Sequence, residues 1–437
     1  MDKKVWLISV NMGYGHQRTA NSLSDLAFEG KVINANDYDG IPQKDRSIWN
    51  TTRMGYELIS KLKRMPVLGN FVFSLMDYFQ RILNFYPKRD LSEPTFQLKQ
   101  NYNMIGNGWG KHLIEELKIK NKKLGFILPI VSTFFTPAFM ADFFDYPGEI
   151  FCIVCDADIS RAWAPLHPKK SKIKYFAPTR RVAERLEFYG VKKENILLTG
   201  YPLPRENIGT ENMEILKGDL RHRMPNLDPD QKYYSKYQKL VEENVINLPA
   251  RINHPLTLTF CVGGAGAQRE IGVQILQDLK RKIEKGELRL ILVAGIRGKI
   301  NDYFLQNIEK LNLNGSLGRS IEVIFENDIN EYFKKFNSAL RETDILWTKP
   351  SELSFYSALG IPIIIAPTIG SQEEFNKRWL LKSGFGMLQE NPKYAHDWLF
   401  DWLKRGYFAE AAMESFIEGK KLGTFIIEKE ISKCFGC

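Results

Sequence analysis

No stretch of the 437-residue chain offers the roughly 18 to 20 consecutive apolar residues that a membrane-spanning helix needs. The amino terminus, Met1-Asp2-Lys3-Lys4, runs straight into a strand-like segment without the pattern of a cleavable signal, so the expected location is the cytoplasm. Cysteine is scarce, with five residues in all. Cys152 to Cys155 and Cys434 to Cys437 show the C-x-x-C spacing of zinc and redox sites. The first pair falls inside an apolar strand, where residues three apart point to opposite faces, and the second ends the chain, so no metal site is expected. Cys437 in last place also misses the C-a-a-X pattern of prenylation. There is no zinc-finger spacing, no RNP-like aromatic motif and no long Lys/Arg block, which sets nucleic acid aside as a partner. Internal repeats and low-complexity tracts are missing as well, and 44% hydrophobic with 26% charged residues is the composition of a folded globular chain.

What is present is length, positive charge and a regular alternation of elements. The chain exceeds the usual size of one hydrophobic core, which favours two domains. A formal charge of +10 favours contact with something anionic, an acidic lipid or a phosphorylated substrate. Short β-rich runs alternate with helical stretches, the pattern of an α/β fold with parallel sheets and crossover helices. In the first half the strand candidates are Val5 to Val10, Lys31 to Asn36, Phe126 to Val131, Ile150 to Cys155, Ile173 to Ala177 and Ile196 to Thr199. In the second half they are Leu256 to Val262, Leu288 to Val293, Ile321 to Phe325, Ile345 to Trp347 and Pro362 to Ala366. Between the halves the sequence turns polar, with a helical patch at Tyr234 to Glu243. The expected division is therefore a domain over 1–204, a linker and insertion over 205–253, and a second domain over 254–405. The tail, 406–437, reads as helices that can pack back on the first domain.

One segment breaks the rhythm. From Ile59 to Arg89, the basic residues Lys61, Lys63, Arg64, Lys88 and Arg89 bracket an apolar and aromatic run that includes Val67, Phe71, Phe73, Met76, Phe79 and Phe85. Basic flanks around an amphipathic core suit peripheral contact with an anionic membrane, and they suit equally a helical subdomain whose apolar face is buried.

Chemistry enters at two glycine turns. After the first strand comes Asn11-Met12-Gly13-Tyr14-Gly15-His16-Gln17-Arg18, a turn feeding a helix, whose free N–H groups favour negative charge. His16 in the first helical turn can exchange a proton near neutral pH, or it can simply cap or pack. The second half opens in the same way, with a strand, Gly263-Gly264-Ala265-Gly266-Ala267-Gln268, and a helix whose amides can cradle a diphosphate. Two such openings describe two similar domains with ligand ends facing each other across a cleft. Further on, Glu352 follows Thr348-Lys349-Pro350-Ser351 at a helix start, where a carboxylate can accept bonds from ribose hydroxyls or answer the helix dipole. Gln372, Glu373 and Asn376 crowd another helix start with groups suited to sugar hydroxyls.

Taken in order, GYGHQRTA, Val154-Cys155-Asp156 followed by Trp163, Tyr175 to Thr179 leading to Leu198-Thr199-Gly200-Tyr201-Pro202, GGAGAQ, and KPSELSFYSALGIPIIIAP with GSQEEFN resemble the GT-B glycosyltransferases. The branch in question is that of the monogalactosyldiacylglycerol synthases, the processive diacylglycerol glucosyltransferases and the peptidoglycan-precursor N-acetylglucosaminyltransferase. The resemblance implies two Rossmann-like domains facing a cleft. It implies His16 and Asp156 as catalytic candidates, with Gly13, Gly15, Arg18 and Trp163 on the acceptor side. It implies Gly263, Gly264 and Gly266 at the diphosphate, Glu352 at the ribose beside Ser351, and Gln372, Glu373 and Asn376 at the donor sugar. Arg18, Arg297 or Lys349 can then neutralise the diphosphate where a metal would otherwise stand.

The implied activity is inverting, metal-independent and cofactor-free transfer of a hexose or N-acetylhexosamine from a UDP-sugar to a hydroxyl acceptor, with a membrane lipid among the acceptors and a peripheral place at the inner face of the membrane. Two alternatives share the fold, a nucleotide-sugar epimerase or hydrolase and a non-catalytic nucleotide-sugar-binding protein. Three features depart from the family pattern. Thr348 to Ser351 replaces a glycine-rich turn, Asp158 stands two residues from Asp156 as a rival, and the polar stretch near 204–253 has no counterpart.

Overall fold

The computed structural model describes residues 3–62, 82–245, 248–249, 254–263, 266 and 268–435. Most of the apolar heart of the basic segment, 63–81, lies outside them, as does Gly264. The chain divides into two compact units, Met1–Pro202 with Ile369–Phe375 and Leu422–Cys437, and Leu203–Thr368 with Asn376–Lys421.

The first unit is built on six parallel strands, β1 (Trp6–Ser9), β2 (Ile33–Asn34), β3 (Ile130–Ser132), β4 (Ile150–Ile153), β5 (Lys174–Ala177) and β6 (Ile196–Leu198), in the order β2-β1-β3-β4-β5-β6. β1, β3 and β4 are buried along their whole length, the expected state of strands covered by helices on both faces. The two-residue period of a strand sends Trp6 and Ile8 to one core and Val5 and Leu7 to the other. The first core is closed by helix Lys111–Leu124, through Leu113, Ile114 and Leu117, and by helix Phe135–Phe143. Ile427 and Ile431 of the helix Gly423–Ser432 complete the second. The described flank of the basic segment also belongs here. Ile82 and Phe85 are buried, and the Phe85 ring lies 5.0 Å from Phe188 and beneath the Arg181 guanidinium at 3.6 Å.

The second unit repeats the plan with β7 (Leu256–Cys261), β8 (Leu288–Gly295), β9 (Ile321–Phe325), β10 (Ile345–Thr348), β11 (Ile363–Ile365) and β12 (Gly386–Leu388), in the order β12-β11-β10-β7-β8-β9. Helices Glu214–Leu227 and Lys232–Asn244 occupy the polar stretch between the sheets, and helices Ala395–Lys404 and Tyr407–Glu418 follow the last strand. The two sheets and their flanking helices are the α/β, doubled Rossmann-like architecture that the alternation of elements implies.

Three strands differ most from expectation. β2 keeps only Ile33 and Asn34 of the run Lys31 to Asn36. The run Phe126 to Val131 is strand only from Ile130: Pro129 has no N–H to give, so although its carbonyl accepts from Trp6 N at 2.9 Å, the first donor on this strand is Ile130 N, to Glu149 O at 2.9 Å. β12 is a three-residue edge strand, Gly-Met-Leu, with no β-branched residue to announce it. Among the described residues no helix is long and apolar enough to cross a membrane.

Sheet topology marks where ligands belong. In an open parallel sheet the crevice forms beyond the carboxyl ends of strands where the order reverses direction. In the first sheet that point lies between β1 and β3, and in the second between β7 and β10.

Candidate functional site

The reversal point of the first sheet holds His16. The chain leaves β1 through Asn11 and turns at Gly13, whose φ of 130° is open to glycine and strained for other residues. The turn is pinned by Asn36 after β2, which accepts from Asn11 N at 2.8 Å and donates to Asn11 O at 3.3 Å. Helix Tyr14–Asn21 follows with Gly13 as its cap, a residue with no side chain to spend on the helix start. His16 Nδ1 lies 2.8 Å from the carbonyl oxygen of Thr133, directly after β3. A carbonyl only accepts, so Nδ1 carries the proton in this bond and Nε2 is the basic nitrogen of the neutral ring.

An aromatic wall surrounds the imidazole. Phe134 meets it edge-on at 4.8 Å, Trp163 stands at 6.4 Å, and Phe135 packs on Trp163 at 5.2 Å. Below the ring, Thr19 Oγ1 is within hydrogen-bond distance of Gly15 O (2.8 Å), Tyr201 Oη (3.0 Å) and Cys155 Sγ (3.3 Å). Cys155 Sγ in turn lies 3.6 Å from His16 Nδ1, and the next residue is Asp156, half-buried. His16, Asp156, Gly13, Gly15 and Trp163 are thus gathered at one sheet edge. Arg18, on the same helix, is 2% exposed and sits as an interior cation.

Asp158 is not a rival for the chemistry of Asp156. Its two oxygens accept from Arg185 Nε and Nη2, both at 2.9 Å, and Oδ1 also accepts from Ile159 N. Burial works against the Arg185 charge, yet the hydrogen bonds and charge of Asp158 outweigh it and hold the guanidinium above its ordinary value. The pair is interior structure.

The reversal point of the second sheet holds the other glycine loop. Gly266 N bonds to Gly263 O at 2.7 Å, closing a turn in which Gly266 has φ of 71°. A Cβ on Gly263 would come within 2.6 Å of Lys349 Cε, so the lysine stem from the loop after β10 lies directly on the glycine backbone. A Cβ on Gly266 would meet Ile300 Cδ1 at 2.6 Å, which seats the same turn on the first turn of helix Gly298–Lys310, capped by exposed Arg297. Gln268, with φ of 67°, ties the loop to the end of β11 through Pro367 O. Lys349, Gly263 and Gly266 therefore stand together, and Arg297 caps the helix on which the turn rests.

Glu352 begins a 3-10 helix rather than an α-helix, with Ser351 capping Leu353 N, and it is half-buried at the carboxyl end of β10. Asn376 is fully buried and its amide donates to Pro350 O at 3.4 Å, bracing that same turn from beneath. Glu373 binds its own loop, accepting from Ile369 N at 2.6 Å, and Gln372 is exposed. The structure thus gives Asn376 and Glu373 bracing contacts of their own.

Thr133 and Phe134 are site residues that motif reading passed over, and Cys155, which stands beside Asp156 in the motif, has no role at the site in that reading. Thr133 lies 117 positions from His16 and acts through its backbone, so no side-chain pattern marks it. The available signal was the aromatic pair Phe134-Phe135 directly after a buried strand, at the carboxyl edge where loops carry function.

No family model matches the chain. A UDP-N-acetylglucosamine–N-acetylmuramyl-(pentapeptide) pyrophosphoryl-undecaprenol N-acetylglucosamine transferase of Alkaliphilus metalliredigens is 25% identical over 210 residues, 47% of this chain and 46% of that one. The chain therefore spans under half of that relative. A processive diacylglycerol β-glucosyltransferase of Bacillus licheniformis is 20% identical over 382 residues, 86% of this chain and 80% of that one. Among solved structures, MurG of Acinetobacter baumannii aligns with a TM-score of 0.47 at 12% identity, covering 98% of this chain and 99% of that one. A UDP-GlcNAc 2-epimerase of Neisseria meningitidis bound to UDP-GlcNAc aligns with a TM-score of 0.43, 12% identity and 81% and 84% coverage. The curated relatives are both glycosyltransferases, which bears out the resemblance read from the sequence.

Proposed function

We propose that the chain is an inverting glycosyltransferase that moves a hexose or N-acetylhexosamine from a UDP-sugar to a hydroxyl acceptor, with a membrane lipid as the favoured acceptor class. The observation that carries the reading is the 2.8 Å contact between His16 Nδ1 and the Thr133 carbonyl, which leaves Nε2 as a base at the reversal point of the first sheet. In the proposed step the acceptor hydroxyl gives its proton to Nε2. Its oxygen bonds to the anomeric carbon on the face opposite the diphosphate. The bond from that carbon to the diphosphate oxygen breaks, and UDP leaves with the electron pair. Lys349 and Arg297, with the amides of the Gly263 loop, offset the charge that develops there, a role metal ions fill in other transferases. Asp156 is the second candidate for the base, and Glu352 with Ser351 is placed to receive the ribose. The lipid acceptor draws its support from the charge of +10 and from the acceptor in the name of the Bacillus licheniformis relative.

The test is calorimetric binding of a panel of UDP-sugars, together with UDP release in the presence and absence of anionic vesicles containing diacylglycerol. The reading expects binding of at least one donor and release that depends on vesicles. Equal release without any acceptor would replace transfer by hydrolysis or epimerisation, and binding without release under any condition would leave a non-catalytic nucleotide-sugar protein.

A further inference from the structure

A cavity of about 310 Å³ opens at the other end of the second sheet, by the amino-terminal ends of β7, β8 and β10. We propose that this cavity is a binding site for a small oxyanion of the phosphate class, separate from the glycine loop of the same unit. Its base is Arg223, a guanidinium only 2% exposed. Arg223 spends its hydrogen bonds on main-chain carbonyls, Thr343 O at 2.6 Å, Leu359 O at 3.0 Å, Gly360 O at 3.2 Å and Leu340 O at 3.3 Å. Among the described residues no carboxylate hydrogen-bonds to it, and Asp344 and Asp219 act on it only through space. A buried cation held by dipoles, beside a cavity rimmed by charged residues, calls for an anion or for ordered water.

The rim adds charge of the same sign. Arg289 reaches in from β8 and Arg341 from helix Ile329–Glu342. Each is engaged by carboxylates, Arg341 by Asp219 at 3.0 and 3.1 Å and Arg289 by Glu322 and Glu342. These contacts use two N–H donors on each guanidinium out of five, so planar donors remain for a tetrahedral oxyanion. The same contacts neutralise Asp219 and Glu342, leaving Asp344 as the third negative charge. One of its oxygens is spent on Thr257 N (2.8 Å) and Asn226 Nδ2 (2.9 Å), and burial pushes the carboxyl up to about 6 against the pull of His254 and Arg223. Below that pH the cavity loses its third carboxylate charge.

β7 and β10 lie side by side, Ile345 opposite Leu258 and Thr348 opposite Cys261, and lead away from the cavity to the loops of Gly263 and Lys349. An occupant here does not compete with a nucleotide at the far ends of the strands. The experiment is titration calorimetry of the full chain with inorganic phosphate in saturating UDP, repeated with sulfate at pH 5.5 and 7.5 because the charge of sulfate does not change between them. One site is expected, retained in UDP, tighter for sulfate at the lower pH, weakened tenfold or more in Arg341→Gln and largely restored in Arg341→Lys, with melting curves showing that both variants fold. A phosphate monoester titrated alongside assigns the ligand to esters if it binds tighter and to the free ion if it does not. Absence of binding at millimolar anion, loss of binding when UDP is added, or indifference to Arg341→Gln would overturn the proposal. Failure of UDP itself to bind would count against the donor site and leave the phosphate titration readable.

Discussion

The two reversal points are built from the same opening, a strand, a glycine turn and a helix, and are furnished in opposite ways. At β1 and β3 the aromatic rings of Phe134, Phe135 and Trp163 stand beside the turn, and the His16 imidazole is held by a main-chain carbonyl. At β7 and β10 a lysine stem is laid across the backbone of Gly263, and an exposed arginine stands at the next helix start. A ring fixed in orientation and tautomer inside an apolar wall suits proton transfer, which demands geometry within hydrogen-bond reach. Backbone amides and flexible cations suit retention of a charged ligand whose exact pose matters less. The difference teaches that the first site is where turnover should be lost and the second where affinity should be lost.

The sharpest way to break that comparison is His16→Ala. Turnover should fall about 10²- to 10⁴-fold, the usual worth of a general base, with the donor dissociation constant unchanged. Calorimetry with the donor and UDP release with the acceptor separate the two quantities. A variant that kept full turnover would move the base to Asp156, and one that lost donor binding as well would show that the two regions do not divide the work.

Next in size is a contrast inside the first region. Asp158→Asn breaks a buried ion pair with Arg185, side chains 6% and 0% exposed, and should cost about 3–5 kcal/mol in urea unfolding because an uncompensated cation is left inside. Asp156→Asn, two residues away and half-buried, should cost clearly less in the same measurement. Reversed results would mean that the structural and chemical carboxylates had been exchanged.

At the second region, Lys349→Met keeps the stem that covers Gly263 and removes the charge. Donor affinity should weaken about 10- to 100-fold, the scale of one charge-assisted contact of about 1.5–3 kcal/mol, with turnover at saturating donor reduced much less. A fall confined to turnover would instead place Lys349 on the departing charge alone.

Much of this was legible in the residues. Most of the parallel strands are buried apolar runs bounded by turns, and both glycine openings mark the strands at which the sheet order reverses, so period and punctuation alone place His16, Gly263 and Lys349 at sheet edges. What stayed hidden depends on which strands are neighbours. Thr133 reaches His16 only because β3 pairs with β1, a fact carried by no local pattern, and Cys155 reads as one more strand residue until β4 is set beside β3. The rivalry between Asp156 and Asp158 is also undecidable locally, since Arg185 lies 27 residues from Asp158.

The smallest effect concerns Thr19, and it asks what positions His16. Thr19 Oγ1 touches Gly15 O, Tyr201 Oη and Cys155 Sγ, so the hydroxyl links the helix that carries the imidazole to the ends of β4 and β6. Thr19→Val keeps the shape and deletes the hydrogen bonds, which should cost about 0.5–1.5 kcal/mol in unfolding. Turnover should drop only a few-fold, because the bond from Nδ1 to the Thr133 carbonyl is not touched and still fixes which nitrogen is basic. A loss as large as that of His16→Ala at unchanged stability would mean that the hydroxyl network, and not the carbonyl, sets the ring. The first region would then owe its precision to a side-chain network, and its contrast with the second would rest on that network and the aromatic wall.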